Sequence, residues 1–493
     1  DYKIVNRKNS VIITLEDPLL DSTTYTFNFR ETVQDITEKN PVRNLQLAYS
    51  TGTYIDSLSI EGHVYDLLKG TDIKDATVAL HVENDTFNIL EHPAVYFTKT
   101  DKAGKFKISH LKPDNYFLYG LEDKNRNLVV NSRTEAYGYL SEHQYLLENI
   151  KDVSLGLIRL DAGPLKITSA RPYNTYFNIR TSKSLRTFSV VATDSSEITY
   201  SYGEDQANIR IYDTTEKDSI QLHLVALDSI DNAIDTTLYA KFLTREVTPE
   251  DFKVNVQSSS LLAQKAELEV VLDFTKPLKE INFDSLYYQI DSLTQVKFKK
   301  EDLSWDRLQN QLTIRKKLDQ SLFPKADPNG RGSTGARRGF PSQPKSDTSK
   351  TALPALYELN LGRAAFISIE NDSSQNVVQA VKPVSQEELA IINVEIRTAE
   401  KAFLVELLDK TFKVIRQVKN KKQVRFEDVV PGDYQIRLII DTNNNGRWDP
   451  GNYFRNIEPE HVVYFRHADQ SPIIKGVKAN WDIGGGGEMF ITY

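Results

Sequence analysis

Glu267-Leu-Glu-Val-Val-Leu-Asp-Phe274 places Leu268, Val270, Leu272 and Phe274 at every second position. A period of two sustained over four to eight residues is the pattern of a half-buried β-strand. Outward from this stretch the same alternation returns in Tyr25-Thr-Phe27-Asn-Phe29, Phe106-Lys-Ile108 and Val424-Arg-Phe426. Between such runs stand Asp101-Lys-Ala-Gly104, Pro431-Gly432-Asp433 and similar clusters, whose residues adopt turn conformations that β-branched side chains reach only at a cost. Many short strands separated by turns predict sandwiches or barrels, so the chain reads as all-β. Helical periodicity is confined to short pieces near Glu135–Leu147.

The 493 residues exceed one ordinary hydrophobic core, and about 100–200 residues per domain predicts three to five units. With 40% hydrophobic and 26% charged residues, the chain has the composition of a folded protein. Its 61 basic and 68 acidic residues leave a formal charge of −7, which argues against broad binding to nucleic-acid phosphates. No apolar run approaches the roughly 18–20 residues that span a bilayer as a helix. Residues 1–20 lack the basic start and apolar centre of a signal peptide, so an exported form has lost its targeting segment. The absence of cysteine excludes disulfides, thiolate metal sites and thiol nucleophiles from this stretch.

Pro324 to Lys350 differs from the rest: it is rich in Pro, Gly, Ser and basic residues and has almost nothing to bury. It reads as a disordered insertion within a domain, and Arg331, Arg337 and Arg338 suit an acidic partner or lipid headgroups.

Two distant regions repeat one another. Ile108, Leu111, Pro113 and Tyr116 precede Asp123-Lys-Asn125-Arg-Asn127; Phe426, Val429, Pro431 and Tyr434 precede Asp441-Thr-Asn443-Asn-Asn445, with identical spacing. The second loop continues Gly446-Arg447-Trp448-Asp449-Pro-Gly-Asn452. Side-chain oxygens at Asp441, Asn443, Asn445 and Asp449, with the Arg447 carbonyl and a glycine at the sixth position, follow the first nine positions of a Ca²⁺ loop. Asn452 stands where a bidentate glutamate belongs. The alternative is a hairpin turn held by Asx side-chain hydrogen bonds. The first copy carries Leu128 in place of the glycine and reads as an empty loop.

No catalytic constellation emerges. The eight histidines form no HExxH pair, no GxSxG, P-loop or GxGxxG follows a strand, and Gly484–Gly487 is a bare tract. Scattered carboxylates leave a glycosidase-type pair open, and the 24 Tyr, 22 Phe and 3 Trp offer contact surface, most of it on buried strand faces.

Pro18-Leu-Leu-Asp21, Tyr25-Thr-Phe27, Asn40-Pro and Tyr49-Ser-Thr51-Gly52 resemble the second half of a bacterial Ig-like domain of S-layer type. Ile60-Glu-Gly62-His-Val64, Asp101-Lys-Ala-Gly104-Lys-Phe106 and Leu111-Lys-Pro113-Asp-Asn-Tyr116 resemble the carboxypeptidase regulatory-like domain, a transthyretin-like sandwich without catalytic residues, and Pro431-Gly432-Asp433-Tyr434 resembles it again. The resemblance implies tandem β-sandwich modules: part of an Ig-like domain over 1–53, a regulatory-like domain over 54–162, Ig-like domains over 163–246 and 247–386, and a second regulatory-like domain over 387–493. As a whole the chain is similar to Ig-like-domain lipoproteins of Bacteroidota. That likeness implies a lipid anchor upstream of residue 1, an outer-membrane cell-surface location, and a non-catalytic scaffold or accessory role on a β-barrel complex for assembly, export or uptake, beside other surface lipoproteins. A glycan-binding adhesin and a hydrolase with dispersed carboxylates are the rival readings. Modules in series are expected to form a rod burying little between neighbours.

Overall fold

The computed structural model describes residues 2–7, 10–15, 18–30, 33–35, 37–38, 40, 45–84, 86–194, 197–202, 207–212, 219–242, 248–306, 310–323 and 355–493. The 324–350 insertion lies outside the described residues. The chain is all-β, with 3-10 turns as its helical elements, and is built from tandem β-sandwich modules. Strand pairings fall into five groups along the chain, and among the described residues no pairing joins one group to another.

The first group is two hairpins, Tyr2–Arg7 with Ser10–Leu15 and Thr24–Arg30 with Leu45–Ser50. Ile4, Val5, Val11, Ile12 and Leu47 stay exposed on them. Thr24 Oγ1 donates to Asp56 Oδ2 at 2.7 Å, and Thr26 Oγ1 lies 3.1 Å from His110 Nδ1, tying the hairpins to the next module.

The second module sets Ile150–Leu157, Leu58–Asp66 and Lys105–Leu111 against a sheet of Tyr137–Tyr139, Asp114–Leu121, Thr77–Val82 and Tyr96–Lys99. Alternation turns Ile60, Val64, Val78, Leu80, Phe106, Ile108 and Leu118 into the space between them. Glu135–Leu147 does not form helix: Tyr137–Tyr139 and Gln144–Leu146 are strands that both pair with Asp114–Leu121. Pairing with a preformed sheet edge satisfies their backbone groups and overrides a weak helical pattern.

In the third module Tyr176–Thr181 and Asn208–Tyr212 face Thr187–Ala192 and Ser219–Leu227, enclosing Phe177, Ile179, Ile209, Val190, Leu222 and Leu224. In the fourth, Glu267–Phe274 is central, flanked by Val254–Leu262 and Gln311–Lys317. Its four alternating apolar residues pack with Leu286, Tyr288, Ile314 and Leu359. Beside this core Lys276, 2% exposed, places its ammonium between Glu370 and Asp372.

The fifth module repeats the second. Ala390–Arg397 pairs antiparallel with Gln423–Val429 and parallel with Phe490–Thr492, as Leu58–Asp66 does with Lys105–Leu111 and Ile150–Leu157. The likeness reaches single residues. The register slips at the same place in both antiparallel pairs, where His110 and Asp428 take positive φ of 60° and 55°, the mark of a bulge. The Tyr116 hydroxyl donates back to the Lys112 carbonyl and the Tyr434 hydroxyl to the Val430 carbonyl.

The modules do not form a rod of weakly touching units. The strand Phe403–Asp409 is buried on both faces. Phe403, Val405 and Leu407 enter the core of the fifth module. Leu404 and Leu408, with Ile439, Val462 and Tyr464, instead pack on Leu67 and Ile158 of the second. Each such side chain contributes about 1.5–3 kcal/mol on burial, so the last module folds back across two intervening modules and closes a ring.

Candidate functional site

The site assembled from residues upward is the Asp441 loop and the seam it closes between the second and fifth modules. Gly432–Ile440 delivers Asp441 to the end of its sheet, where the carboxylate is 2% exposed. Asp441 Oδ1 accepts the Asn445 N–H at 2.9 Å and Oδ2 the Gly446 N–H at 2.8 Å. Asn443 Oδ1 accepts Asn445 N–H, and Asn445 Oδ1 accepts Arg447 N–H, each at 3.0 Å. The side-chain amides of Asn443 and Asn445 both donate to Asp449 Oδ2 at 2.5 Å, and Arg447 Nε pairs with Asp449 Oδ1 at 3.2 Å. Gly446 takes φ +81° with Lys419 lying over the loop; the lysine tip can swing aside, so it is the left-handed backbone that calls for glycine.

The expected ligand positions Asp441, Asn443, Asn445 and Asp449 are therefore brought together, and Arg447 joins them through its guanidinium. In this state their oxygens are occupied by N–H donors of the loop itself. Among the described residues no group of three or more histidine, aspartate or glutamate side chains is arranged to hold a metal ion.

Glu460, which no fixed spacing announces, completes the loop. It is 5% exposed; Oε1 accepts the Thr442 N–H at 2.7 Å and Oε2 the Asp449 N–H at 3.0 Å, while its carbonyl accepts Trp448 Nε1 at 3.0 Å. Glu135 does the same in the first copy, accepting the Lys124 and Asn131 N–H groups at 2.9 Å each, and there Leu128 sits at φ 60° where the second copy has glycine. A buried carboxylate bonded to backbone N–H groups is strongly held, and removing it strands several buried donors.

The ordered loop is what meets the neighbouring modules. Tyr453 Oη accepts the Ile89 N–H at 3.1 Å, and its ring lies edge-on to Tyr139 at 5.3 Å. Tyr139 Oη donates to the Ile457 carbonyl at 2.5 Å. Glu458 Oε1 accepts both the N–H and hydroxyl of Ser141, at 2.6 and 2.7 Å. Asn452 Nδ2 reaches the third module, donating to the Ile230 carbonyl at 2.8 Å. Burial raises the phenol pKa of Tyr139 and of Tyr453, so both remain neutral hydrogen-bonding groups.

At the opposite end of the seam the turn Leu67–Gly70 is gripped. Arg437 Nη1 donates to the Leu68 carbonyl at 3.0 Å, the Tyr464 hydroxyl donates to the same oxygen, and Arg466 Nη2 donates to the Gly70 carbonyl at 2.8 Å. Arg437 is itself held by Glu406 at 2.7 Å, both nearly buried. Burial works to lower the Arg437 pKa, but Glu406 and Tyr464 outweigh it and hold the guanidinium charged. A third lock sits at the joint of the second and third modules. Lys183 Nζ donates to the Asp161 and Gly163 carbonyls at 2.8 and 2.5 Å and pairs with Asp228 at 2.8 Å.

No family model and no curated protein matches the chain. Among solved structures, BcpA, the major pilin subunit of Bacillus cereus, is 10% identical over 89% of this chain and 99% of its own, with a TM-score of 0.14. The Bacillus anthracis TIE protein is 8% identical over 93% of this chain and 55% of its own, at 0.13. Escherichia coli alpha-2-macroglobulin is 10% identical over 93% and 31%, at 0.14. TM-scores this low leave function to be argued from the chain's own residues.

Proposed function

We propose that the chain is a non-catalytic scaffold, held at the cell surface by a lipid anchor, that serves as an accessory subunit of an outer-membrane β-barrel complex for assembly, export or uptake. In this reading residues 54–162 and 387–493 are paired regulatory-like modules, and Ig-like units fill 1–53, 163–246 and 247–386. The single observation that supports it is the seam. Arg437 and Tyr464 of the fifth module bond the Leu68 carbonyl of the second, Tyr139 and Ser141 of the second bond Ile457 and Glu458 of the fifth, and Asn452 reaches Ile230 of the third. A prearranged multi-module surface loses less freedom when a large partner docks.

The histidines that meet carboxylates, His63 with Asp72, His143 with Glu83 and His223 with Asp235, form separate, partly exposed pairs. Calcium at Asp441, Asn443, Asn445, Asp449 and the Arg447 carbonyl belongs to the same proposal: an ion there would brace the loop that docks Tyr453 and Glu458. Purification of the tagged protein from native outer membranes in mild detergent is the test. Co-recovery of a barrel protein is expected; recovery alone overturns the scaffold reading, and tight retention on a polysaccharide column favours the adhesin instead.

A further inference from the structure

One surface of the fifth module departs sharply from the acidic balance of the chain. Residues 410–425, KTFKVIRQVKNKKQVR, contain seven basic residues and no acidic one, in a protein whose formal charge is −7. They comprise the edge strand Val414–Lys419, the turns at its two ends and the start of Gln423–Val429. Among the described residues Val414–Lys419 pairs only with Phe403–Asp409 and ends its sheet.

Lys410, Lys413, Arg416, Lys419, Lys421, Lys422 and Arg425 are all exposed. Arg425 pairs with Glu427 and Asp482; among the described residues no carboxylate is ion-paired with the other six. Two apolar side chains stand in the middle of this row, Val414 at 39% and Ile415 at 36% exposed. Apart from Asp409, whose charge acts on Lys413, and the Thr398 carbonyl that accepts from Lys422, this run of like charges repels itself and is favoured against a surface of opposite charge.

We propose that this basic segment docks the fifth module on an anionic lipid surface. Four features select lipid over other polyanions. The charges are mostly lysines, point charges suited to a diffuse field, whereas shaped recognition of single phosphates favours arginine forks. The segment's single aromatic, Phe412, is only partly exposed, so it lacks the stacking platform used for single-stranded nucleic acid. Val414 and Ile415 offer apolar contacts that a headgroup layer accepts and a duplex does not. The basic residues are exposed beside the strand that ends its sheet, an open surface suited to a broad layer of charge. Each basic residue near an anionic membrane strengthens binding about fivefold, and the effect fades with salt.

The test uses the full chain with vesicles of phosphatidylcholine alone or mixed with phosphatidylglycerol, in a co-sedimentation assay. Protein is expected with the mixed vesicles at low salt and not with the neutral ones, and high salt releases it. Combining Lys410→Gln, Lys413→Gln, Arg416→Gln and Lys421→Gln is expected to weaken binding at least a hundredfold, with an unchanged thermal melt showing that the fold is kept. Arg331→Gln with Arg337→Gln and Arg338→Gln leaves the 410–425 segment intact and is expected to retain most binding. Equal binding to both vesicles, full binding by the variant altered at 410, 413, 416 and 421, or displacement by duplex DNA at stoichiometric amounts would each overturn the proposal. Because the vesicles contain no protein, the outcome is independent of whether a barrel complex is the partner.

Discussion

Gly70→Ala is a small change at the point where the seam is tightest. Gly70 takes φ +63°, and a Cβ built there meets the Tyr464 ring at 2.5 Å, although the two residue numbers differ by 394. The left-handed backbone alone costs alanine about 1 kcal/mol. Displacing a ring whose hydroxyl bonds the Leu68 carbonyl adds about 1–3 kcal/mol of overpacking. Gly70→Ala should therefore lower stability by about 2–4 kcal/mol in urea unfolding. In a Tyr464→Ala background the clash is gone, and the same change should cost only about 1 kcal/mol. Equal costs in both backgrounds would mean that the two modules do not meet in solution, and the reasoning from the seam would fail.

Lys183→Met leaves Asp228, 1% exposed, buried without its cation and should cost about 3–5 kcal/mol. Burial tends to raise the Asp228 pKa, but Lys183, Asn232 and the Ile230 N–H outweigh it and hold it below the usual carboxylate value of 3.8. That stability is present above the unfolded pKa and lost as pH falls through the folded one, so Asp228→Asn should flatten the acid limb of a melting curve. Lys276→Met leaves Glu370 and the partly exposed Asp372 without their shared cation; because water reaches Asp372, a loss of about 1–3 kcal/mol is expected by urea unfolding. Calorimetric titration with calcium should show weak binding, with Kd on the order of 10⁻⁴–10⁻³ M, abolished in Asp441→Ala; no heat from the unaltered chain would leave the loop as a hydrogen-bonded turn.

The strands were legible because their faces differ. Glu267–Phe274 alternates, and its even-numbered residues are the ones that enter the core. The repeat was legible for the same kind of reason: Tyr116 and Tyr434 mark equivalent corners, and the Asx loops that follow begin with the same hydrogen bonds. Glu460 was not, because the carboxylate lies 18 residues beyond Thr442 whereas Glu135 lies 11 beyond Lys124, and the fold, not the spacing, returns each to its loop. The seam did leave a signal: Phe403-Leu-Val-Glu-Leu-Leu408 is apolar on both faces but for Glu406, close to the pattern of a strand covered on both sides, and its outer residues Leu404 and Leu408 found their cover in the second module. The basic segment was hidden by averaging, since a global charge of −7 says nothing of sixteen consecutive residues without an acid.

A closed ring of modules and an open string differ most in the distance between the second and fifth. The chain has no cysteine, so single cysteines placed at exposed Lys102 and Lys475 accept spin labels without competing sites. Pulsed electron resonance on the doubly labelled chain should give one narrow distance distribution that broadens when Arg437→Ala and Tyr464→Ala open the grip on Leu68. A broad distribution in the unaltered chain, insensitive to those substitutions, would contradict the closed seam and with it the prearranged scaffold.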